Sequence, residues 1–167
     1  MQQNKYVDEM TLSHWPQVLE IYKSGIESGH ATFETQLPTW EQWDQGHHPF
    51  ARLVLLENEE LLGWAALSPV SRRQVYSGVA EVSVYVAHRF HRQGTGRILL
   101  SSLITAAEEN GIWTLQASIF PENTGSVQLH LSCGFREVGR RERIAQLNGA
   151  WRDTVLFERR SNLRTDD

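Results

Sequence analysis

The chain has 167 residues, 40% of them hydrophobic and 22% charged, the size and mixture of one globular domain able to bury a core. Six Trp, six Phe and four Tyr supply too much apolar surface for a disordered chain. Sixteen Lys and Arg against twenty Asp and Glu leave a net charge of −4, which argues against a general nucleic-acid binder.

In chain order, Thr11 or Ser13 is placed to cap a helix that Pro16 enters early, where a missing N–H costs little. Val18, Leu19, Ile21, Tyr22 and Ile26 recur along it at helical spacing, and Gly25 and Gly29 are expected to loosen its end. Residues 30–38 read as a loop, and Thr39-Trp-Glu-Gln42 has the form of a capping box opening a short helix. Leu53 to Leu56 and Leu61 to Leu67, joined by Glu57-Asn-Glu-Glu60, predict a strand hairpin, and Val79 to Val86 a third strand. Arg92 to Asn110 carries Ile98, Leu99, Leu103, Ile104 and Ala107 on one helical face and is stopped by Gly111. A strand over Ile112 to Ile119 and a short helix over Ser126 to Cys133 follow. Two β-rich runs, Phe135 to Val138 and Thr154 to Phe157, flank the turn Asn148-Gly149. Strands in the middle with helices between the later ones predict an α/β or α+β layer.

Residues 1–160 are expected to form a single domain and the polar stretch 161–167 a disordered tail. Apolar runs are only a few residues long, so none is expected to span a bilayer. The opening MQQNKYVDEM lacks the apolar region of a signal peptide, and the single cysteine, Cys133, has no intramolecular partner; the expected location is the cytoplasm.

The segment richest in chemistry is Glu81-Val-Ser-Val-Tyr-Val86, then Ala-His-Arg-Phe, then His91-Arg-Gln-Gly94-Thr-Gly96-Arg97 running into a helix. A strand, a short basic loop with glycines and a helix N-terminus make an anion cradle: free N–H groups and the positive end of the helix dipole face outward, and Arg92 and Arg97 add charge. A phosphate-bearing ligand is expected there, against the plainer alternative of an ordinary strand–helix turn. Neither G-x-x-x-x-G-K-[ST] nor an early G-x-G-x-x-G is present.

This segment resembles motif A of the GCN5-related N-acetyltransferases, which carry Q/R-x-x-G-x-G/A after a central strand and bind the acetyl-CoA pyrophosphate there. Gly94 and Gly96 match, and His91 stands at the Gln/Arg position. Asn123-Thr-Gly-Ser126 through His130 to Gly134-Phe135 resembles the same family's N-x-x-S…GF segment, whose Asn and Ser contact the cofactor. The resemblance runs over roughly residues 5–160 and is nearest to the phosphinothricin and methionine sulfoximine acetyltransferase branch. Ile21-Tyr22…Phe33-Glu34, Arg73-Gln-Val-Tyr76 and Asn148-Gly-Ala-Trp151-Arg-Asp153 carry that part. It implies an α/β fold with a mixed, mostly antiparallel sheet flanked by helices and splayed where the cofactor enters. It also implies acetyl-CoA as co-substrate, a homodimer, and direct transfer of acetyl to the α-amine of a small amino acid or analogue. A protein or peptide N-acetyltransferase and a non-catalytic CoA-binding module are the alternatives.

Acetyl transfer needs a neutral amine, a polarised carbonyl and a protonated leaving thiol. Glu81, costly to bury among valines without a use, is the candidate base, with a structural ion pair as the alternative. By resemblance, the backbone of Val84, Tyr85 and Val86 pairs with the pantetheine arm, and His91, Arg92, Gln93, Gly94, Thr95, Gly96, Arg97, Asn123 and Ser126 hold the cofactor. His130 lies where many members have a Tyr that protonates the departing thiolate; imidazolium is a reasonable substitute, and a helix histidine satisfied by a carbonyl is the alternative. Arg73 and Tyr76 suit an acceptor carboxylate or phosphinate, and Phe33 and Glu34 an amine pocket. His47-His48 and His88 with His91 lack the further ligand that a metal site needs, so no metal is expected.

Overall fold

The computed structural model describes residues 4–163, in which seven strands form one sheet of order β1-β2-β3-β4-β5-β7-β6. β1 (Lys5–Glu9) is an edge strand paired antiparallel with β2 (Leu53–Glu57). Its sequence KYVDE is too polar to be read as a strand, and it was not expected. β2 returns as β3 (Glu60–Pro69) through Asn58 and Glu59, both left-handed (φ 50 and 66), the tight turn that fits strand twist. β4 (Val79–Val86) lies antiparallel to β3 from Ala80 to Val86.

On its other side, β4 runs parallel to β5 (Thr114–Ile119), but only from Val79↔Thr114 to Glu81↔Gln116. Beyond Glu81 the two strands part. β5 then pairs with β7 (Ala150–Arg160), whose hairpin partner β6 (Arg136–Leu147) forms the far edge. The expected short runs at 135–138 and 154–157 are thus the apolar ends of one long hairpin. Its middle is polar and exposed, which hid it from pattern reading. The mixed, mostly antiparallel sheet splays as expected.

Four helices cover the sheet. α3 (Thr95–Glu109) buries Leu99, Leu100 and Leu103 completely against Leu55, Leu62, Leu67 and Phe157, each leucine contributing about 2 kcal/mol of burial. Its first turn begins at Thr95, three residues after the expected start, because Arg92 to Gly94 form a turn. α4 (Thr124–Ser132) lies beside it. On the opposite face, α1 (Trp15–Ser28) and α2 (Trp40–Gly46) bury Val18, Ile21 and Trp43 against Val54, Trp64 and Ala66. α2 opens with the expected reciprocal cap: Gln42 N–H donates to Thr39 Oγ1 at 3.2 Å, and Thr39 N–H to Gln42 Oε1 at 3.0 Å.

Gly25 does not loosen the end of α1. It lies within the helix, where a Cβ would stand 2.7 Å from Cε1 of Tyr85, and its bareness lets α1 close onto that ring. Ser161, expected to begin the tail, is buried: its N–H donates to Trp113 O and its hydroxyl to Glu108. Residues 164–167 lie outside the described residues.

Candidate active site

Where β4 and β5 part, the sheet opens a cleft of about 1020 Å³. The free half of β4 is its floor, the N-terminus of α3 with α4 one wall, and the loop after α1 the other.

Strand geometry decides which backbone groups face this opening. Ala87 N–H donates to Leu62 O at 2.8 Å, and hydrogen-bonded pairs alternate along an antiparallel ladder. Tyr85 therefore commits its backbone groups to its partner Trp64, whereas Val84 and Val86 turn theirs toward the gap. Of the three residues expected to pair with an added strand, Val84 and Val86 can do so and Tyr85 cannot. Tyr85 instead stacks on Trp64 at 4.8 Å and meets Tyr22 edge-on at 5.0 Å. Burial pushes its phenol well above the usual range, so it stays protonated.

Beyond Val86 the chain turns into α3 through two left-handed residues, Arg92 (φ 60) and Gly94 (φ 79). Gly94 is the N-cap and offers no side chain to the first-turn N–H groups of α3, so these donors stay free for an anion. Arg92, Gly94, Gly96 and Arg97 all line the cleft. His91 also lines it, and its Nε2–H donates to the Val86 carbonyl at 2.9 Å, tying the loop to the strand. Gln93 turns back to Arg89 O at 3.0 Å, and the Thr95 side chain is 1% exposed. Neither side chain reaches the cleft, which leaves those two residues only their backbone N–H groups for a ligand.

Glu81 stands at the fork of β4 and β5. Burial raises its carboxyl above the usual range, opposed by hydrogen bonds from the Ser118 backbone and hydroxyl and by the positive charge of Arg141. A carboxylate held closer to neutral pH is a stronger proton acceptor.

His130, on α4, is 5% exposed. Its Nδ1–H donates to Ser126 O at 2.7 Å, its ring meets Phe135 edge-on, and burial lowers its pKa. The expected imidazolium is therefore disfavoured, and the side chain is a neutral imidazole satisfied by a carbonyl. Ser126 and Asn123 line the cleft as expected. Asn123 is also structural: its Oδ1 accepts from Ser126 N–H at 3.2 Å, and its Nδ2 donates to His30 O at 3.0 Å.

The acceptor residues divide. Phe33 lines the cleft and meets Phe120 edge-on at 4.8 Å. Glu34 lies in an adjoining cavity of about 400 Å³ with Tyr22, Trp43 and His47. Arg73 and Tyr76 sit outside both cavities on the loop before β4, the guanidinium 5.4 Å over the ring. Sequence reading gave no site role to Ser118, Phe120, Thr154 or Arg152; strand pairing brings Ser118 and Thr154 here, and Phe120 follows the end of β5. Arg152 straps the hairpin to the loop after α1: it donates to Gly29 O at 2.9 Å, reaches Glu122 at 3.4 Å and lies 4.1 Å over Phe120.

A sheet that forks beside a helix-end anion cradle, leaving strand edge free for an extended ligand, is the architecture of the acyl-CoA N-acyltransferases. The chain belongs to the acetyltransferase (GNAT) family, whose model matches residues 15–135. It is 34% identical over 157 residues to the phosphinothricin N-acetyltransferase of Alcaligenes faecalis, a match spanning 88% of this chain and 78% of that protein. The crystal structure of a ribosomal-protein-alanine N-acetyltransferase from Brucella melitensis superposes with a TM-score of 0.87 at 30% identity, covering 93% of this chain and 99% of that one. A phosphinothricin acetyltransferase from Sinorhizobium meliloti, solved in complex with AcCoA, shares the fold with a TM-score of 0.84 at 24% identity, over 93% of this chain and 88% of that one.

Proposed function

We propose that this chain transfers acetyl from acetyl-CoA to the amine of a small amino acid or analogue, phosphinothricin and methionine sulfoximine among them. The observation that carries this is Glu81: a half-buried carboxylate with a raised pKa at the fork, beside the free edge of Val84 and Val86. The site fits the co-substrate. The α3 N-terminus with Arg92 and Arg97 suits a pyrophosphate, and the unpaired edge of β4 suits the amide-bearing pantetheine arm.

Acetyl-CoA supplies the activated acyl group. Glu81 takes the ammonium proton, directly or through a water, so that the amine can attack the thioester carbonyl. The N–H of Val84 or Val86 stabilises the carbonyl oxygen as its charge grows. The C–S bond breaks as the C–N bond forms; the nitrogen gives up its second proton to solvent, and the thiolate takes one from solvent, since His130 is neutral. Phe33 and Phe120 wall the acceptor. We further assign a homodimer, supported by the exposed Val138, Ile144 and Trp151 of the long hairpin.

The similarity to a ribosomal-protein-alanine N-acetyltransferase favours a second reading, an N-terminal peptide as acceptor. A thiol-release assay on the purified protein separates them. Turnover with phosphinothricin, methionine sulfoximine or free amino acids, and little with alanine-initiated peptides, supports the first; the reverse order supports the second.

A further inference from the structure

The two walls of the cleft are tied together by side chains from the C-terminal half of the chain. Asn123, just before α4, donates from Nδ2 to His30 O at 3.0 Å, while its Oδ1 accepts from Ser126 N–H. Arg152, on β7, donates from Nη1 to Gly29 O at 2.9 Å and from Nη2 to His30 Nδ1 at 3.3 Å; the same Nη2 reaches Glu122 at 3.4 Å. His30 belongs to the loop after α1, and Glu122 and Asn123 to the segment that enters α4. All three line the cleft, so these bonds bridge it from wall to wall.

Strand alternation shows on which side of the sheet the bridge lies. Glu81, Ser83 and Tyr85 share one face of β4, where Tyr85 meets Tyr22 of α1; Val82, Val84 and Val86 turn to the core that α3 covers. Cross-strand partners keep the same face. Glu81 pairs with Gln116, two residues before Ser118, and Ser118 pairs with Leu156, four residues after Arg152. Arg152 therefore reaches over the Glu81 face, where the amine must arrive, and the α3 cradle lies on the other. Its side chain is only 16% exposed, with the guanidinium 4.1 Å over Phe120, whose ring meets Phe33 at 4.8 Å. One arginine thus backs the aromatic wall of the acceptor site and fastens the loop after α1 to the long hairpin.

We propose that Arg152 is a positioning residue that sets acceptor size: with Asn123 it closes the Glu81 side of the cleft, so that a single amino acid or analogue fits and one extended by a peptide bond does not. The proposal rests on the acetyl transfer proposed above. Admitting a longer acceptor means prising the two walls apart. That breaks the contacts to Gly29, His30 and Glu122 together and lifts the guanidinium off Phe120. A planar fork suits this task, because it satisfies several acceptors at once while lying flat on a ring, which a lysine ammonium does not. Specificity then comes from what the closed end excludes as well as from what the site holds.

The test compares wild type, Arg152→Ala, Arg152→Gln and Arg152→Lys with three acceptors: a free amino acid that the wild type acetylates, its carboxyamide, and the amide of the same amino acid extended by one glycine. The last two both lack the free carboxylate and differ in length, so their ratio of kcat/KM reads the closure and not anion binding. In Arg152→Ala the longer amide should gain roughly 10- to 100-fold on the shorter. Arg152→Lys should keep part of the wild-type preference, and Arg152→Gln carries the test if the alanine variant does not fold. A merely structural loosening would lower turnover of all three acceptors together and leave the ratio where it was. An unchanged ratio in folded Arg152→Ala or Arg152→Gln overturns the proposal, as does a wild type that acetylates the longer amide as well as the shorter. A wild type that turns over no free amino acid overturns the proposed function itself, and this inference with it.

Discussion

Replacing Glu81 by Gln keeps the shape of the fork and removes the one carboxylate placed there to take a proton. Even at the peptide-terminus pKa of about 7.7–8.0 an α-amine is at most about one-sixth neutral at pH 7, and a free amino acid's amine is more basic still, so the site must generate most of the reactive form. Turnover of Glu81→Gln at pH 7 should fall about 10²- to 10⁴-fold, about 3–5 kcal/mol of barrier. Between pH 7 and 9 the variant should recover about tenfold or more, as the amine deprotonates in solution. The wild-type profile should instead show an acid limb centred above 4.5, because burial holds the Glu81 proton more tightly than in a free side chain. Stability moves the opposite way. A carboxyl whose folded-state pKa is raised destabilises the native state as pH climbs from the unfolded value through the folded one, and ionisation remains a net cost above it. Glu81→Gln should therefore lose that pH-dependent fall and be at least as resistant to denaturant as the wild type at pH 7. Steady-state kinetics from pH 5 to 9, with urea melts at pH 4 and 7, read both effects. Wild-type turnover at pH 7, or an unchanged acid limb, would show that Glu81 is structural and refute the assignment.

Gly94→Asp brings a negative charge and a side chain to the left-handed cap of α3. If the charge comes within roughly 5 Å of a phosphate, acetyl-CoA affinity in calorimetry should drop about a hundredfold; unchanged affinity in folded protein would reject the cradle. Gly25→Val pushes side-chain atoms into the Tyr85 ring and should lower stability by about 1–3 kcal/mol in chemical denaturation, against little change if α1 can shift. Because His130 is held neutral, His130→Gln should leave the alkaline side of the rate profile in place, whereas loss of a limb between pH 7 and 9 would make it the thiolate's acid. Light scattering at micromolar concentration should report a dimer that Trp151→Glu weakens; a monomeric wild type would refute that assembly.

Much of the fold was legible because its punctuation is local. Thr39 with Gln42 caps α2, Asn148-Gly149 turns the long hairpin, and the leucines of α3 lie on one face whatever surrounds them. The cradle was legible for the same reason: a strand, a loop with glycines and a helix start are contiguous in sequence. What escaped was fixed by pairing across strands. The polar edge strand Lys5–Glu9 exists only because β2 offers it an edge. Ser118 reaches Glu81 only because β4 and β5 run parallel for three residues and then part. Arg73 and Tyr76 were legible by residue type, and they lie on the loop before β4, outside the cleft lining.

The central claim, that the forked cleft moves acetyl from acetyl-CoA to a small amino acid's amine, is tested most directly by mass spectrometry of the acceptor. Purified protein, acetyl-CoA and phosphinothricin or a free amino acid should yield a product one acetyl group heavier, modified on nitrogen, in amounts equal to the free thiol released. Hydrolysis of acetyl-CoA without acetylated acceptor, or binding of acetyl-CoA with no turnover on any amine, would contradict it.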